Sequence, residues 1–190
     1  RHRQAPRAEG ADRLKMLYLA LNSSAMAGAR NLKIIADDYE IMRAGATYTV
    51  DTLTEIRHRV GLRPVILVMG SDAFLQLNKW QRWLEIIEQA HIMVIKRPNW
   101  SVSGQHALTE FYHKFLTKDL TDLLQTSAGK LSECLVTQLD ISATNIRKIL
   151  AEGRSARFLL PDRVLDYIHQ HQLYGVFPSS KENPFRNPDN

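Results

Sequence analysis

Ser142, Thr144 and Arg147 fall within six residues of one another in "DISATNIRKIL", Asp140 to Leu150, at the opening of an apolar-periodic run. With Ser142 as N-cap, the free backbone N–H groups of the next turn point outward and the helix dipole favours an anion. Thr144 adds a hydroxyl, and Arg147, just over one turn in, can bend back toward the same anion. Plain capping accounts for Ser142 and leaves Arg147 idle. A phosphate uses all three residues. Three further stretches carry polar groups where a ligand would want them. Gly70-Ser71-Asp72 follows an apolar run directly: glycine lets a ligand approach the backbone, and the aspartate either accepts bonds from a ribose or amide or caps a helix. Lys96-Arg97-Pro98 sets two cations at a strand's end, where Arg97 can pair with a phosphate or simply stand in solvent. In "RAGATYTVDTL", Thr47 and Tyr48 precede Thr49, a candidate helix cap, and Tyr48 offers a flat face for an aromatic ring. Trp80 and Trp83 follow at helical spacing and read as core or as ligand contacts.

The remaining chemistry-bearing residues are less organised. His169 and His171 lie two apart, on different faces of a helix, and make poor metal partners. His58, His106 and His113 sit among charged residues. No Cys/His spacing fits zinc, no Ser-His-Asp order suggests acyl transfer, and the sole cysteine, Cys134, reads as a small buried hydrophobe.

The elements that must position these residues alternate. "LKIIAD" from Leu32, "VILVMG" from Val65, "HIMVIK" from His91 and "ECLVTQL" from Glu133 are short, branched and apolar, as buried strands are. Helical periodicity runs through "ADRLKMLYLAL", through "TVDTLTEIRHRV" with Gly61 as its stop, and through "AFLQLNKWQRWLEIIEQA" with a break near Asn78. It continues in "ALTEFYHKFLTKDLTDLLQ", "SATNIRKILAEG" and "PDRVLDYIHQHQLYG", the last with Pro161 at its start and Gly175 past its end. The pattern predicts an α/β fold with a mainly parallel, Rossmann-like doubly wound sheet and a helical C-terminal region. Ligands bind such sheets at the carboxyl ends of the strands, so Asp37-Asp38, Gly70 to Asp72, Lys96-Arg97-Pro98 and Asp140 to Thr144 are expected to face one crevice. One domain is expected over residues 1–175, with a disordered tail over 176–190, rich in Pro, Ser and Asn.

Bulk composition narrows the partners. At 44% hydrophobic and 24% charged the chain reads as an ordinary globular protein with enough length for a real core. The net charge of +5 suits a phosphate-bearing ligand, but no basic block of the kind that tracks nucleic acid is present. No apolar run reaches bilayer length and no signal-peptide pattern precedes the first helix, so a cytoplasmic setting without membrane partners is expected. The sequence does not fix an oligomeric state.

Taken in order, "DRLKMLYLAL", "RAGATYTVDTL", "GSDAFLQLNKWQRWLEII", "AHIMVIKRP", "ISATNIRKIL" and "LLPDRVLDYIHQHQLYG" resemble the bacterial nicotinate-nucleotide adenylyltransferases, over nearly all of Asp12 to Gly175. The resemblance implies transfer of the adenylyl group of ATP to nicotinate mononucleotide, giving deamido-NAD and pyrophosphate, with Mg²⁺ accompanying ATP. It implies that Thr47, Tyr48 and Thr49 receive the nicotinate ring beside Trp80, and that Asp72 contacts the nucleotide. Ser142, Thr144 and Arg147, with Arg97 and Gly70, would bind the ATP phosphates, Arg147 acting catalytically. His2 and Arg3 resemble the end of a loop that approaches the ligands. The family's H-x-G-H motif is not found in these residues. The family's first two strands and first helix are accordingly expected to be missing, leaving unpaired strand edges and exposed apolar faces on either side of the gap. The alternative reading is a non-catalytic descendant that binds nucleotides or a partner. A sister enzyme adenylylating another phosphate ester fits less well, because "RAGATYTVDTL" resembles the nicotinate-side loop.

Overall fold

The computed structural model describes residues 8–22, 33–97, 100–102, 106–137 and 141–176. Backbone packing divides the chain into two compact units, Met42–Leu139 and a second unit composed of Arg1–Ile41 and Asp140–Asn190.

In the Met42–Leu139 unit, helix α3 (Thr49–Val60) leads into strand β1 (Ile66–Gly70), helix α4 (Ser71–Phe74), a 3₁₀ turn at Leu77–Lys79 and helix α5 (Trp83–Gln89). Strand β2 (His91–Lys96), helix α6 (His106–Phe115), helix α7 (Asp122–Gln125) and strand β3 (Leu131–Leu135) complete it. Helices α1 (Gly10–Leu21) and α2 (Tyr39–Met42) precede these elements, and α8 (Ala143–Ala151), α9 (Asp162–Gln170) and a 3₁₀ turn at Leu173–Gly175 follow them.

The three strands pair in parallel in the order β1-β2-β3, with Gly70 opposite Ile95 and Lys96 opposite Leu135. Their carboxyl ends therefore lie together. The central strand β2 is apolar on both faces, and its Ile92 and Val94 are fully buried, as a strand covered by helices on both sides requires. Around it Phe74, Leu77, Ile86, Leu108 and Leu131 form one core. In the second unit Ile146, Ile149 and Leu150 of α8 pack with Val164, Leu165 and Ile168 of α9. The Tyr167 hydroxyl donates to Asp12 Oδ1 at 2.8 Å, tying α9 to α1.

Three expectations are corrected. The run at Leu32 forms no strand in its described part: Lys33–Asp38 is irregular, with Ile34 and Ile35 exposed. A strand exists only through a ladder, and no described residue offers this segment one. The free edge of β1 is likewise apolar at Val68, which is 57% exposed. Second, "AFLQLNKWQRWLEIIEQA" breaks near Asn78 as expected, but its first helix already ends at Phe74 and a 3₁₀ turn spans Leu77–Lys79, because Phe74 and Leu77 are both fully buried and the chain tightens to bury both. Third, the helix from Ala107 stops at Phe115. Leu116 bridges to Leu131 and the Thr117 N–H donates to the Leu131 carbonyl at 2.7 Å, so this backbone is used by the sheet. That pairing also starts β3 at Leu131, ahead of the expected Glu133. Cys134 is half-buried, on an edge strand, and not fully buried as its composition context predicted.

Candidate active site

At the carboxyl end of β1, Gly70 has an extended backbone and caps α4 without a side chain. A Cβ placed on it would meet nothing within 4 Å. The protein itself thus does not need glycine here for room, and the bare backbone faces open space that a ligand can use. Asp72, one residue into α4, does not cap the helix; its Oδ2 pairs with Arg97 Nη1 at 2.8 Å. The two side chains are 65% and 63% exposed, so the pair stands in solvent at the ends of β1 and β2. Sequence reasoning placed both residues at strand ends, and the structure brings them into contact.

Lys96 separates from Arg97. Successive strand residues point to opposite faces, and Lys96 Nζ donates to Glu133 Oε2 at 2.8 Å while the Tyr112 hydroxyl donates to Glu133 Oε1 at 2.6 Å. Burial, then the hydrogen bond and charge of Glu133, push the Tyr112 phenol above the usual tyrosine range. This triad joins β2, β3 and α6; Lys96 stood out in the sequence, whereas Tyr112 and Glu133 did not. A lysine-tyrosine-glutamate set spread over three elements has no local signal. Pro98 lies outside the described residues.

The loop ahead of α3 carries Thr47, Tyr48 and Thr49. Tyr48, not Thr49, is the N-cap: its backbone is extended, its carbonyl accepts from Asp51 and Thr52 N–H at 3.0 and 3.2 Å, and its ring is exposed. Thr49 is the first helical residue. Trp80 ends the 3₁₀ turn and rests half-buried on the core, which leaves part of the indole available. Trp83 belongs to the core face of α5, 5.0 Å from Phe111. Asp51, in the first turn of α3, pairs with Arg82 and, at 3.7 Å, with Arg43. Neither arginine nor Asp51 stood out in the sequence, where each looked like an ordinary surface charge.

In the second unit, Ser142 is the N-cap of α8, and its Oγ accepts from the Asn145 N–H at 3.1 Å. Arg147 Nη2 reaches back to Thr144 Oγ1 at 3.5 Å. The three residues thus gather on the opening turn, anchored from behind by buried Ile146, Ile149 and Leu150. Arg147 also borders a cleft of about 460 Å³ with Arg13, Met16 and Leu160. Asp140, like His2, Arg3 and residues 177–190, lies outside the described residues. Asp37 Oδ1 accepts from the Tyr39 N–H at 2.9 Å at the start of α2 and follows no strand. Among the described residues there is no cluster of three or more His, Cys, Asp or Glu side chains placed to hold a metal ion, and no helix is long and apolar enough to cross a membrane.

Parallel strands flanked by helices, with Gly70, Asp72 and Arg97 at their carboxyl ends, define an α/β protein of Rossmann-like architecture. The sequence profile of the family described as cytidylyltransferase-like matches residues 2–149, a span that holds every site residue named above. A probable nicotinate-nucleotide adenylyltransferase of Hahella chejuensis is 50% identical over 177 residues, covering 93% of this chain and 78% of that protein. One of the same description from Methylococcus capsulatus is 40% identical, covering 91% and 80%. In fold, the chain is similar to Plasmodium falciparum nicotinic acid mononucleotide adenylyltransferase complexed with APC, with a TM-score of 0.61 at 18% identity, over 88% of this chain and 76% of that one. The chain belongs to the nicotinate-nucleotide adenylyltransferase family of cytidylyltransferase-like proteins.

Proposed function

We propose that this protein transfers the adenylyl group of ATP to nicotinate mononucleotide. A 5′-phosphate oxygen of the mononucleotide bonds to the α-phosphorus of ATP, the bond from that phosphorus to the bridging oxygen breaks, and pyrophosphate leaves with deamido-NAD as product. Catalysis of this kind rests on positioning and charge stabilisation, without a covalent enzyme intermediate. The observation that carries the reading is the 50% identity to the Hahella chejuensis relative over 93% of this chain. It also favours an enzyme over a binding-only descendant. A second solved structure of the Plasmodium falciparum enzyme, complexed with NaAD, is similar in fold with a TM-score of 0.57 at 16% identity.

The family motifs, together with the local geometry, support the following roles. The first-turn N–H groups of α8 and the Thr144 hydroxyl bind ATP phosphates, and Arg147 swings from Thr144 onto the phosphate oxygens, where its charge opposes the negative charge that builds up in the transition state. In the Met42–Leu139 unit, Arg97, paired with Asp72, offers a cation to a phosphate, and the open backbone at Gly70 lets the nucleotide approach. Asp72 orients the nucleotide sugar or base. Thr47, Tyr48 and Thr49 receive the nicotinate ring, with Trp80 beside it. ATP enters as its Mg²⁺ complex, the ion being carried by the phosphates. We place the reaction in the cytoplasm.

The test is to supply ATP and Mg²⁺ with nicotinate mononucleotide, its amide analogue or unrelated phosphate monoesters, and follow pyrophosphate and dinucleotide. Deamido-NAD from the acid mononucleotide is the expected product. Steady turnover of an unrelated ester with none of nicotinate mononucleotide would overturn the reading.

A further inference from the structure

One carboxylate in the Met42–Leu139 unit draws in two arginines from outside its own helix. Asp51 Oδ2 meets Arg43 Nη1 at 3.7 Å, which closes the segment Ala44–Val50 at its two ends. Asp51 Oδ1 pairs with Arg82, two residues after Trp80, and Arg82 Nη1 is held from its other side by Glu85 Oε2 at 3.3 Å. The Asp51 side chain is 21% exposed, half as much as either arginine, so both guanidiniums converge on a carboxylate seated at the α3 surface. Arg82 does this from a left-handed backbone, φ 49° and ψ 42°, a region that long side chains rarely adopt and that persists only where the surroundings impose it.

An acidic residue in a helix's first turn is favoured by the dipole alone. The dipole does not explain why the segment before the helix and the turn after Trp80 both reach the same carboxylate. Partly exposed ion pairs contribute little to global stability. What such a pair can do is fix the relative position of two short segments, and here those segments carry Thr47 and Tyr48 on one side and Trp80 on the other.

We propose that Asp51 is a positioning residue for the pyridine ring: through Arg43 and Arg82 it clamps the Tyr48 loop against the Trp80 turn and so preorganises the mononucleotide's aromatic subsite. This rests on the reading that Thr47, Tyr48, Thr49 and Trp80 receive nicotinate. Small misplacements of positioning groups are costly, so opening the clamp reduces affinity for nicotinate mononucleotide by about tenfold. ATP binding, assigned to other residues, stays within about twofold.

The experiment is calorimetric titration of the full chain with nicotinate mononucleotide and, separately, with ATP, for the native protein, Asp51→Asn, Asp51→Glu and Arg82→Ala. The expected pattern is a selective loss for the mononucleotide in Asp51→Asn and Arg82→Ala, partial recovery in Asp51→Glu, and urea midpoints close to native. Native-like mononucleotide affinity in both clamp variants, or equal losses for mononucleotide and ATP, overturns the clamp and leaves the proposed function standing. Native protein that binds ATP but no mononucleotide overturns the underlying ring-site reading, and the clamp with it. Should Asp51→Asn not fold, the clamp stands or falls on Arg82→Ala, which leaves the carboxylate in place.

Discussion

Arg57 offers the sharpest quantitative test of how the Met42–Leu139 unit is held. Its guanidinium donates to four backbone carbonyls: Gly61 at 2.9 Å and Arg63 at 2.7 Å past the end of α3, Ser127 at 2.8 Å ahead of β3, and Gln89 at the end of α5. Replacing Arg57 with Met keeps the apolar stem and removes all four bonds. The carbonyls of Gly61 and Arg63 are in exposed settings and take water instead, at little cost. Those of Gln89 and Ser127 are partly buried, and losing a charged donor there costs roughly 1–2 kcal/mol each, about 2–4 kcal/mol together. Ser127 keeps one bond, from the Val65 N–H at 3.1 Å, which favours the lower half of that range. With a urea slope of about 2 kcal/mol/M, the midpoint falls by roughly 1–2 M. Tryptophan fluorescence reads this unit selectively, because all three tryptophans, Trp80, Trp83 and Trp100, lie between Met42 and Leu139. Arg57→Lys recovers only part of the loss, since an ammonium lacks the planar fork that spans several carbonyls. A shift below about 0.5 kcal/mol for Arg57→Met, or full recovery in Arg57→Lys, would refute the four-carbonyl account.

Three further outcomes follow from the geometry. Among the described residues Arg147 has one polar side-chain contact, 3.5 Å to Thr144, so for Arg147→Ala the melting temperature stays near native while ATP affinity drops by about ten- to a hundredfold, as for loss of a charge-assisted phosphate contact; equal losses of fold and affinity would return Arg147 to a structural role. Gly70→Ala meets no atom within 4 Å and leaves stability unchanged or raised by about 0.5 kcal/mol, yet weakens nucleotide binding in titration calorimetry; unaltered binding would mean that the backbone at Gly70 is not approached. Tyr112 holds its proton more tightly when folded than when unfolded, so the stability it lends is whole below the unfolded phenol value of about 10 and is lost as pH rises toward the folded one. Urea midpoints measured from pH 8 to 11 therefore decline more steeply for the native protein than for Tyr112→Phe, and parallel declines would remove Tyr112 from the account.

Local periodicity made most helices legible. Val50, Leu53, Ile56 and Val60 mark α3 from Thr49 to Val60, and Gly61 stops it at a positive φ of 61°. Three of four strands were legible for the same reason: a buried parallel strand needs a continuous apolar run. The run at Leu32 met that requirement too and still made no strand in its described residues, because apolarity supplies faces whereas a ladder needs a neighbour, and the neighbour is not written in the run itself. The helix breaks at Phe74 and Phe115 failed for a related reason. They depend on what lies opposite, a core position for Leu77 and a bridge from Leu116 to Leu131, which spacing along one segment does not report.

The candidate site divides along the same line. Ser142, Thr144 and Arg147 are close in sequence and close on one helical turn, so type and spacing sufficed. Asp72 and Arg97 are distant in sequence, but the rule that strand ends gather was enough to place both at the same edge of the sheet, and their 2.8 Å pairing follows from the β1-β2 register. What sequence could not supply were the charged residues that tie separate elements together: Glu133 between Lys96 and Tyr112, Asp51 between Arg43 and Arg82, Arg57 among four carbonyls. Each is an ordinary charged residue whose partners come from other elements, and each gains its meaning only when helices and strands are packed. Candidate ligand groups are thus legible by chemistry and position, whereas the charges that tie separate elements together are legible only by contact. Substitutions at Asp51 should therefore weaken nicotinate mononucleotide while leaving ATP in place, and Arg147→Ala should weaken ATP while leaving the mononucleotide in place, a crossed pattern that titration calorimetry reads directly.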